Sequence, residues 1–421
     1  MQDHRDGRAR AGRGAETALK ATFGSGENYV GHGTCYRYGR RAADGCLERG
    51  QGFAGAAPQT AYIESATISA INECLPLAAD RLYLDHAATT PMLAEAKAAM
   101  IEGMERWANP SSPHGDGRAA RAALEDARRR IAAALGWDGH VLFTSGASEA
   151  IAIAFNRAKA APIVTSPVEH DSVLRVTPGA ERLKVTTEGL VDSASVPAGP
   201  SLLAIQHVNN ETGVIQPLDR IGREGAILFA DCAQSAGKLP LPDADMIAIS
   251  AHKFGGPPGV GALLIRDLAL LEPSGGQEQG YRAGTENLPG ILSMAAALEA
   301  CTDWLPVAAQ WRARLDAGIE GAGGQVIARD APRIASIASY RMPGMSARAQ
   351  LIQFDLAGIS VSAGSACSSG SLKTSHVLRA MGHDEAAAGE VVRVSFGPAT
   401  GEADIDRFLA QWTAMAERAR A

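Results

Sequence analysis

The sequence predicts an α/β protein: a large domain with a mostly parallel sheet covered by helices, followed by a smaller α+β C-terminal domain. Three observations predict it. Short β-branched or leucine-rich runs, mostly bounded by Gly, Pro, Asp or Ser, recur from residue 81 onward, as buried parallel strands do. Amphipathic stretches of helical period lie between them, and that alternation implies a parallel sheet with helices on both faces. After about residue 305 the order changes to helix, strands, helix, the pattern of a separate α+β unit.

The strand candidates, in order, are Leu82–Leu84, Val141–Thr144, Pro162–Thr165, Leu202–Gln206, Ile227–Ala230, Met246–Ser250 and Gly261–Ile265. Between them, residues 116–135 are rich in Ala and Arg, and Ile291, Met294, Ala295, Leu298 and Cys301 repeat at helical spacing. A last helix carries Ile405, Phe408, Leu409, Trp412 and Met415 on one face, with Thr400 as its N-cap. Ahead of all this, residues 1–60 hold twelve glycines and only five Leu, Ile, Val or Phe. Such a segment buries too little apolar area to offset the entropy of ordering it, so residues 1–78 are expected to be a disordered extension.

Composition removes several classes of function. Forty basic against forty-six acidic side chains leave a net charge of −6, which argues against a DNA binder that relies on bulk positive charge. No apolar run approaches the roughly 18–20 residues needed to span a bilayer, and the N-terminus lacks the apolar core of a secretory signal. Six cysteines in 421 residues, none in a CxxC pair, make neither a disulfide scaffold nor a zinc ribbon, and no metal site is expected. The expected compartment is the cytoplasm.

Five places hold residues whose chemistry is costly unless used. Lys253 follows an apolar strand and precedes a Gly- and Pro-rich turn; beside it Ser250 and His252 are donors suited to a phosphate, though a lysine merely snorkelling at a strand end reads the same way. Asp231 ends the strand Ile227–Ala230, where open α/β sheets bind ligands. It can pair with a protonated ring nitrogen while Gln234 reaches a neighbouring oxygen, or it can cap a helix. The run Thr144-Ser145-Gly146 leads into a helix near Ala147 and makes an anion site or an ordinary cap. Cys367 lies in a Ser, Gly and Ala tract, the setting of a mobile polar loop where a thiolate can form. Arg393 sits within a strand, where its fork either pairs a structural acid or clamps a carboxylate.

Ten motifs in order, from about Tyr83 to the C-terminus, turn these options into one pattern: YLDHAATTP, NPSSPHG, FTSGASEA, EHDSVL, VNNETGVIQP, FADCAQSAGKLPL, SAHKFGGPPGVGALL, GGQEQGYRAGTEN, SAGSACSSG and VRVSFG. The chain resembles the NifS/IscS-type cysteine desulfurases of the class V aminotransferase group, which are fold-type I transferases dependent on pyridoxal 5'-phosphate (PLP). The resemblance implies a large cofactor domain over residues 95–300 and a small domain from 81–94 with 301–421. It implies that Lys253 holds the cofactor covalently, His170 stacks on its ring, Asp231 pairs with the pyridinium and Gln234 bonds the ring hydroxyl oxygen. Ala147, Ser148, Ser250 and His252 would hold the phosphate, and Thr285 would reach the phosphate of the neighbouring subunit in a homodimer. Asn210 would contact the cofactor and orient the substrate, L-cysteine, whose carboxylate Arg393 would bind. Cys367 would be the nucleophile that takes the sulfur as a persulfide before passing it to a sulfur-acceptor protein.

This sequence departs from the family at Ser148 (commonly Thr), Ala152 (Asn), Pro258 (Lys) and Cys232 (a small residue or Thr), none of which removes a catalytic group. Its connections around 186–200 and 213–226 are shorter, and its C-terminal tail is short. Two other readings stand beside the desulfurase at this point: a selenocysteine lyase or other class V enzyme, and a non-catalytic homologue acting as a partner protein.

Overall fold

The computed structural model describes residues 81–364 and 374–420. Residues 1–78 and Cys367, for which the sequence made specific expectations, lie outside the described residues. Among the described residues, no helix is long and apolar enough to cross a membrane.

The first strand, β1 (Leu82–Tyr83), belongs with the C-terminal elements. Among the described residues, the main sheet holds seven strands: β2 (His140–Thr144), β3 (Ile163–Thr165), β4 (Glu181–Arg182), β5 (Leu202–Ala204), β6 (Ile227–Asp231), β7 (Met246–Ser250) and β8 (Gly261–Ile265). Their order is β2-β8-β7-β6-β5-β3-β4. Only β8 is reversed: it pairs antiparallel with β2 and β7, whereas all other pairings in this sheet are parallel. Every residue of β5, β7 and β8 is buried, so these strands read as continuous apolar runs, because both faces of the sheet are covered.

Helices α1 (Ala94–Glu105), α2 (Gly115–Leu135) and α5 (Leu288–Glu299) pack on one another, α5 against both others. The face of α2 that meets the core carries Leu124, Ala127 and Ile131 at helical spacing. His114 caps its start by accepting the Gly117 N–H, and Gly136 closes it in the left-handed conformation. On a second apolar layer, α3 (Ala147–Arg157) buries Ala150, Ile151 and Ala154 against strand residues such as Phe229 and Leu263. A one-and-a-half-turn helix, α4 (Asp171–Val176), follows β3 and packs against α3.

The C-terminal part builds a different core. After α6 (Leu305–Gly321) come β9 (Gln325–Val326), β10 (Ile337–Arg341), α7 (Ala347–Leu356) and β11 (Ile359–Ser360). Then follow α8 (His376–Ala380), α9 (Glu385–Ala388), β12 (Val391–Ser395) and α10 (Glu402–Arg420). Strands β12, β10 and β9 form an antiparallel sheet, and β11 pairs in parallel with β1. Phe354 stacks on Phe408 at 5.0 Å, with Trp412 beside both, all fully buried. Each such side chain contributes about 1.5–3 kcal/mol by leaving water. Thr400 does not cap α10 as expected: its hydroxyl accepts the Gly397 N–H, and the Gly401 N–H is taken by Asp404.

Candidate active site

At the carboxyl ends of β6 and β7, a cavity of about 330 Å³ opens between the main sheet and the segment after β1. Strand geometry places its central residues. Asp231 is the last residue of β6 and Ser250 the last of β7, and the turn that follows β7 carries His252 and Lys253. Residues 233–238 form turns rather than a helix, so Asp231 is not a helix cap; its Oδ1 accepts the Ala233 N–H at 2.9 Å. Two backbone carbonyls hold the Lys253 amine, Ala87 O at 2.7 Å and Ala88 O at 2.8 Å. Gln234 donates to the same Ala87 carbonyl at 2.9 Å, which leaves its Oε1 buried without a partner among the described residues.

One end of the cavity is an anion cradle. Helix α3 starts at Ala147, with Gly146 at φ 149° ahead of it, and Ala147 and Ser148 line the wall. A Cβ on Gly261 would lie 2.5 Å from Ile249 O and 2.6 Å from Gly146 Cα. Only glycine on β8 therefore lets the strand lie this close to the helix start. Glu149, also on this wall, is engaged by Arg282 at 2.9 Å and by the Ser145 N–H, so its charge is already met.

The other end belongs to Arg393 and Asn210. Arg393, on β12, donates to Asp85 at 2.8 Å and to the Asn210 carbonyl at 3.0 Å, and its Nε has no partner among the described residues. The neighbouring segment is anchored on the same wall. Ser362 exchanges backbone hydrogen bonds with Arg393, while past residue 373 Ser375 donates to Glu211 and His376 Nε2 meets Glu169 O at 2.9 Å.

Burial governs the charges. Asp231 is pushed above the usual carboxylate range by desolvation, opposed by the Ala233 N–H and by His170 and Lys253. His170, which caps α4 by accepting the Ser172 N–H, is held below the ordinary imidazole value, chiefly by burial, with Asp231 opposing and Lys253 adding to the effect. His252 is held at about 4, through burial and the nearby amines of Lys253 and Lys238. Both rings are therefore neutral at pH 7. Glu169, fully buried behind His170, is raised well above the carboxylate range by desolvation.

Ten residues singled out from sequence thus line one cavity: Lys253, His170, Asp231, Gln234, Ala147, Ser148, Ser250, His252, Asn210 and Arg393. Thr285 is exposed and lines no part of it. Sequence reasoning gave no role to Asp85, Glu149 or Glu169. Asp85 was visible only as part of YLDHAATTP, and its partner Arg393 is 308 positions away. Among the described residues, no three His, Cys, Asp or Glu side chains gather as a metal site.

Comparison with known proteins agrees with this geometry. Residues 82–408 match the family described as "Aminotransferase class-V". A cysteine desulfurase of Cereibacter sphaeroides is 37% identical over 376 residues, covering 81% of this chain and 97% of its own. A solved "NIFS-LIKE PROTEIN" superposes with a TM-score of 0.73 at 29% identity, over 80% of this chain and all of that one. Another, solved as "SspA in complex with cysteine", gives 0.66 at 30% identity, over 76% of this chain and 100% of that one. An arginine on the last strand, a lysine after β7 and a carboxylate closing β6, set on this sheet order and matched along most of the chain, carry one conclusion: the chain belongs to the NifS/IscS-type cysteine desulfurases of the class-V aminotransferase family.

Proposed function

We propose that this chain converts L-cysteine to L-alanine with the help of PLP, and carries the removed sulfur on Cys367 as a persulfide for a protein acceptor. The observation that carries this reading is the convergence of Lys253, Asp231, Gln234 and the α3 cradle in one cavity capped by Arg393. Family membership implies PLP, and the cavity fits it. The buried Gln234 Oε1, without a partner among the described residues, and the buried Asp231 carboxylate suit a polar ring. The close Gly146–Gly261 approach at a helix start suits a phosphate, with Ser148, Ser250 and His252 as further donors.

Bound there, PLP supplies an electron sink for the carbon that bears the substrate's amino group. Lys253 would hold it covalently, and its amine, freed when substrate enters, would move a proton to and from the substrate carbon. Asp231 would keep a proton on the ring nitrogen, and the neutral His170 would lie against the ring face. Arg393 and Asn210 would fix the substrate carboxylate at the far end. The Cys367 thiolate would then take the substrate sulfur: an S–S bond forms, the Cβ–S bond breaks, and the carbon gains a proton to give alanine.

Thr285, exposed and outside its own cavity, suits the neighbouring phosphate of a homodimer. The same reading divides the chain into a cofactor domain over 95–300 and a small domain from 81–94 with 301–421. The distinct apolar cores of the main sheet and of the β12-β10-β9 sheet support that division.

The test is a visible spectrum and an alanine assay on the purified protein. The expected result is a yellow protein that releases equal alanine and sulfide from L-cysteine with a thiol reductant. Cys367→Ala should keep the colour and lose sulfur release, and Lys253→Ala should lose both. A Cys367→Ala variant that desulfurates at the wild-type rate would overturn the reading.

A further inference from the structure

Two carboxylates line the main cavity among the described residues, Asp231 and Glu149. Asp231 has its use in the proposed function, on the ring nitrogen. Glu149 has none: it lies in the first turn of α3, on the same wall as Ala147 and Ser148. A carboxylate there suits the helix dipole, yet it competes with a phosphate for the same positive helix end.

Arg282, in the run GGQEQGYRAGTEN between β8 and α5, meets this charge. Its Nε donates to Glu149 Oε1 at 2.9 Å and its Nη2 to Oε2 at 3.4 Å, across 133 positions of sequence. The two side chains are 18% and 29% exposed, so water screens them less than it screens a surface pair. Burial raises the Glu149 carboxyl, but the Ser145 N–H and Arg282 outweigh it and hold the group below the ordinary carboxylate range.

The chain accepts strain to bring Arg282 here. Glu278 and Gln279 have φ of 47° and 59°, a region costly for residues with a side chain. The Glu278 carboxylate holds that turn: it accepts Arg128 of α2 at 2.7 and 3.0 Å and the Phe143 N–H of β2 at 2.8 Å. Gln277 and Arg282 then exchange backbone hydrogen bonds. Gly275 lets the turn close on itself, since a Cβ there would lie 2.2 Å from Arg282 O.

We propose that Arg282 is a positioning residue for the cofactor phosphate: it cancels the charge of Glu149 and so keeps the α3 cradle open to a dianion. This rests on the PLP reading of the main cavity. Without Arg282, the Glu149 carboxylate stays tied to the Ser145 N–H beside the cradle and repels the phosphate.

Equilibrium dialysis of the full chain against graded PLP, with bound cofactor read from its absorbance, tests this. Arg282→Gln should raise the PLP dissociation constant roughly tenfold, the order that a nearby unit charge produces at an effective dielectric of about 20. Binding of pyridoxal, which lacks the phosphate, should hardly change. Combining Glu149→Gln with Arg282→Gln should restore PLP binding to the wild-type value, because the charge to be cancelled has gone. Glu149→Gln alone, which serves if Arg282→Gln does not fold, should tighten PLP severalfold by leaving the arginine charge uncancelled. A double variant as weak as Arg282→Gln, or equal losses of PLP and pyridoxal, would make Arg282 only a brace of the fold and overturn the proposal. So would a Glu149→Gln variant that binds PLP no more tightly than the wild type. Wild-type protein that binds no PLP would overturn the reading of the main cavity, and this proposal with it.

Discussion

Exchanging Arg393 for lysine keeps the charge at the rim of the main cavity but removes its shape. The arginine side chain is 7% exposed and pinned by Asp85 at 2.8 Å and the Asn210 carbonyl at 3.0 Å, with Nε unpaired among the described residues. A lysine ammonium is a single point of donation on a flexible stem, and it cannot serve Asp85, Asn210 and a substrate carboxylate in one plane. At least one charge-assisted hydrogen bond to the carboxylate is therefore lost, at roughly 1.5–3 kcal/mol. At about 1.36 kcal/mol per tenfold, that is a rise of roughly 10- to 150-fold in KM for L-cysteine. The assay is initial-rate alanine release against cysteine concentration, with the cofactor absorbance and unfolding midpoint as controls for an intact site. A KM within twofold of the wild type, with colour retained, would show that the carboxylate binds elsewhere.

Three further outcomes follow from the packing and the charges. Gly261→Ala pushes a methyl into Ile249 O and Gly146 Cα, so it should weaken PLP retention during dialysis more than it lowers the unfolding midpoint; retention equal to wild type would mean that the α3 cradle does not hold the phosphate. His207, against Ser235 at 3.0 Å, is held at about 4 by burial. Below its unfolded value near 6.5 the unfolded chain takes a proton that the folded chain refuses, so this histidine costs stability as pH falls. Between pH 7.5 and 5.5 the wild type should lose about 1 kcal/mol more than His207→Gln in urea unfolding; equal losses would sink the argument. Trp412→Ala empties the fully buried stack on Phe354 and Phe408 and should lower stability by about 3–5 kcal/mol in denaturant titration.

The sequence revealed whatever was local and apolar. Met246–Ser250 reads as a strand from its apolar run, and all five residues are buried; the rule that ligands sit beyond strand ends drew attention to Asp231, which ends β6 and lines the cavity. What it hid was distant or unpatterned. Strand β4 is two exposed residues, Glu181 and Arg182, with no apolar signal. The reversed direction of β8 was invisible, since an apolar run reports burial and not polarity of the chain. Thr400 had the right residue type for a cap, yet its hydroxyl found Gly397 instead.

Two sets of hydrogen bonds brace the wall that carries Arg393. One is the Ser362–Arg393 pairing; the other is the Ser375 and His376 hold on Glu211 and Glu169. The Arg393 guanidinium therefore inherits its position from main-chain bonds as well as from Asp85.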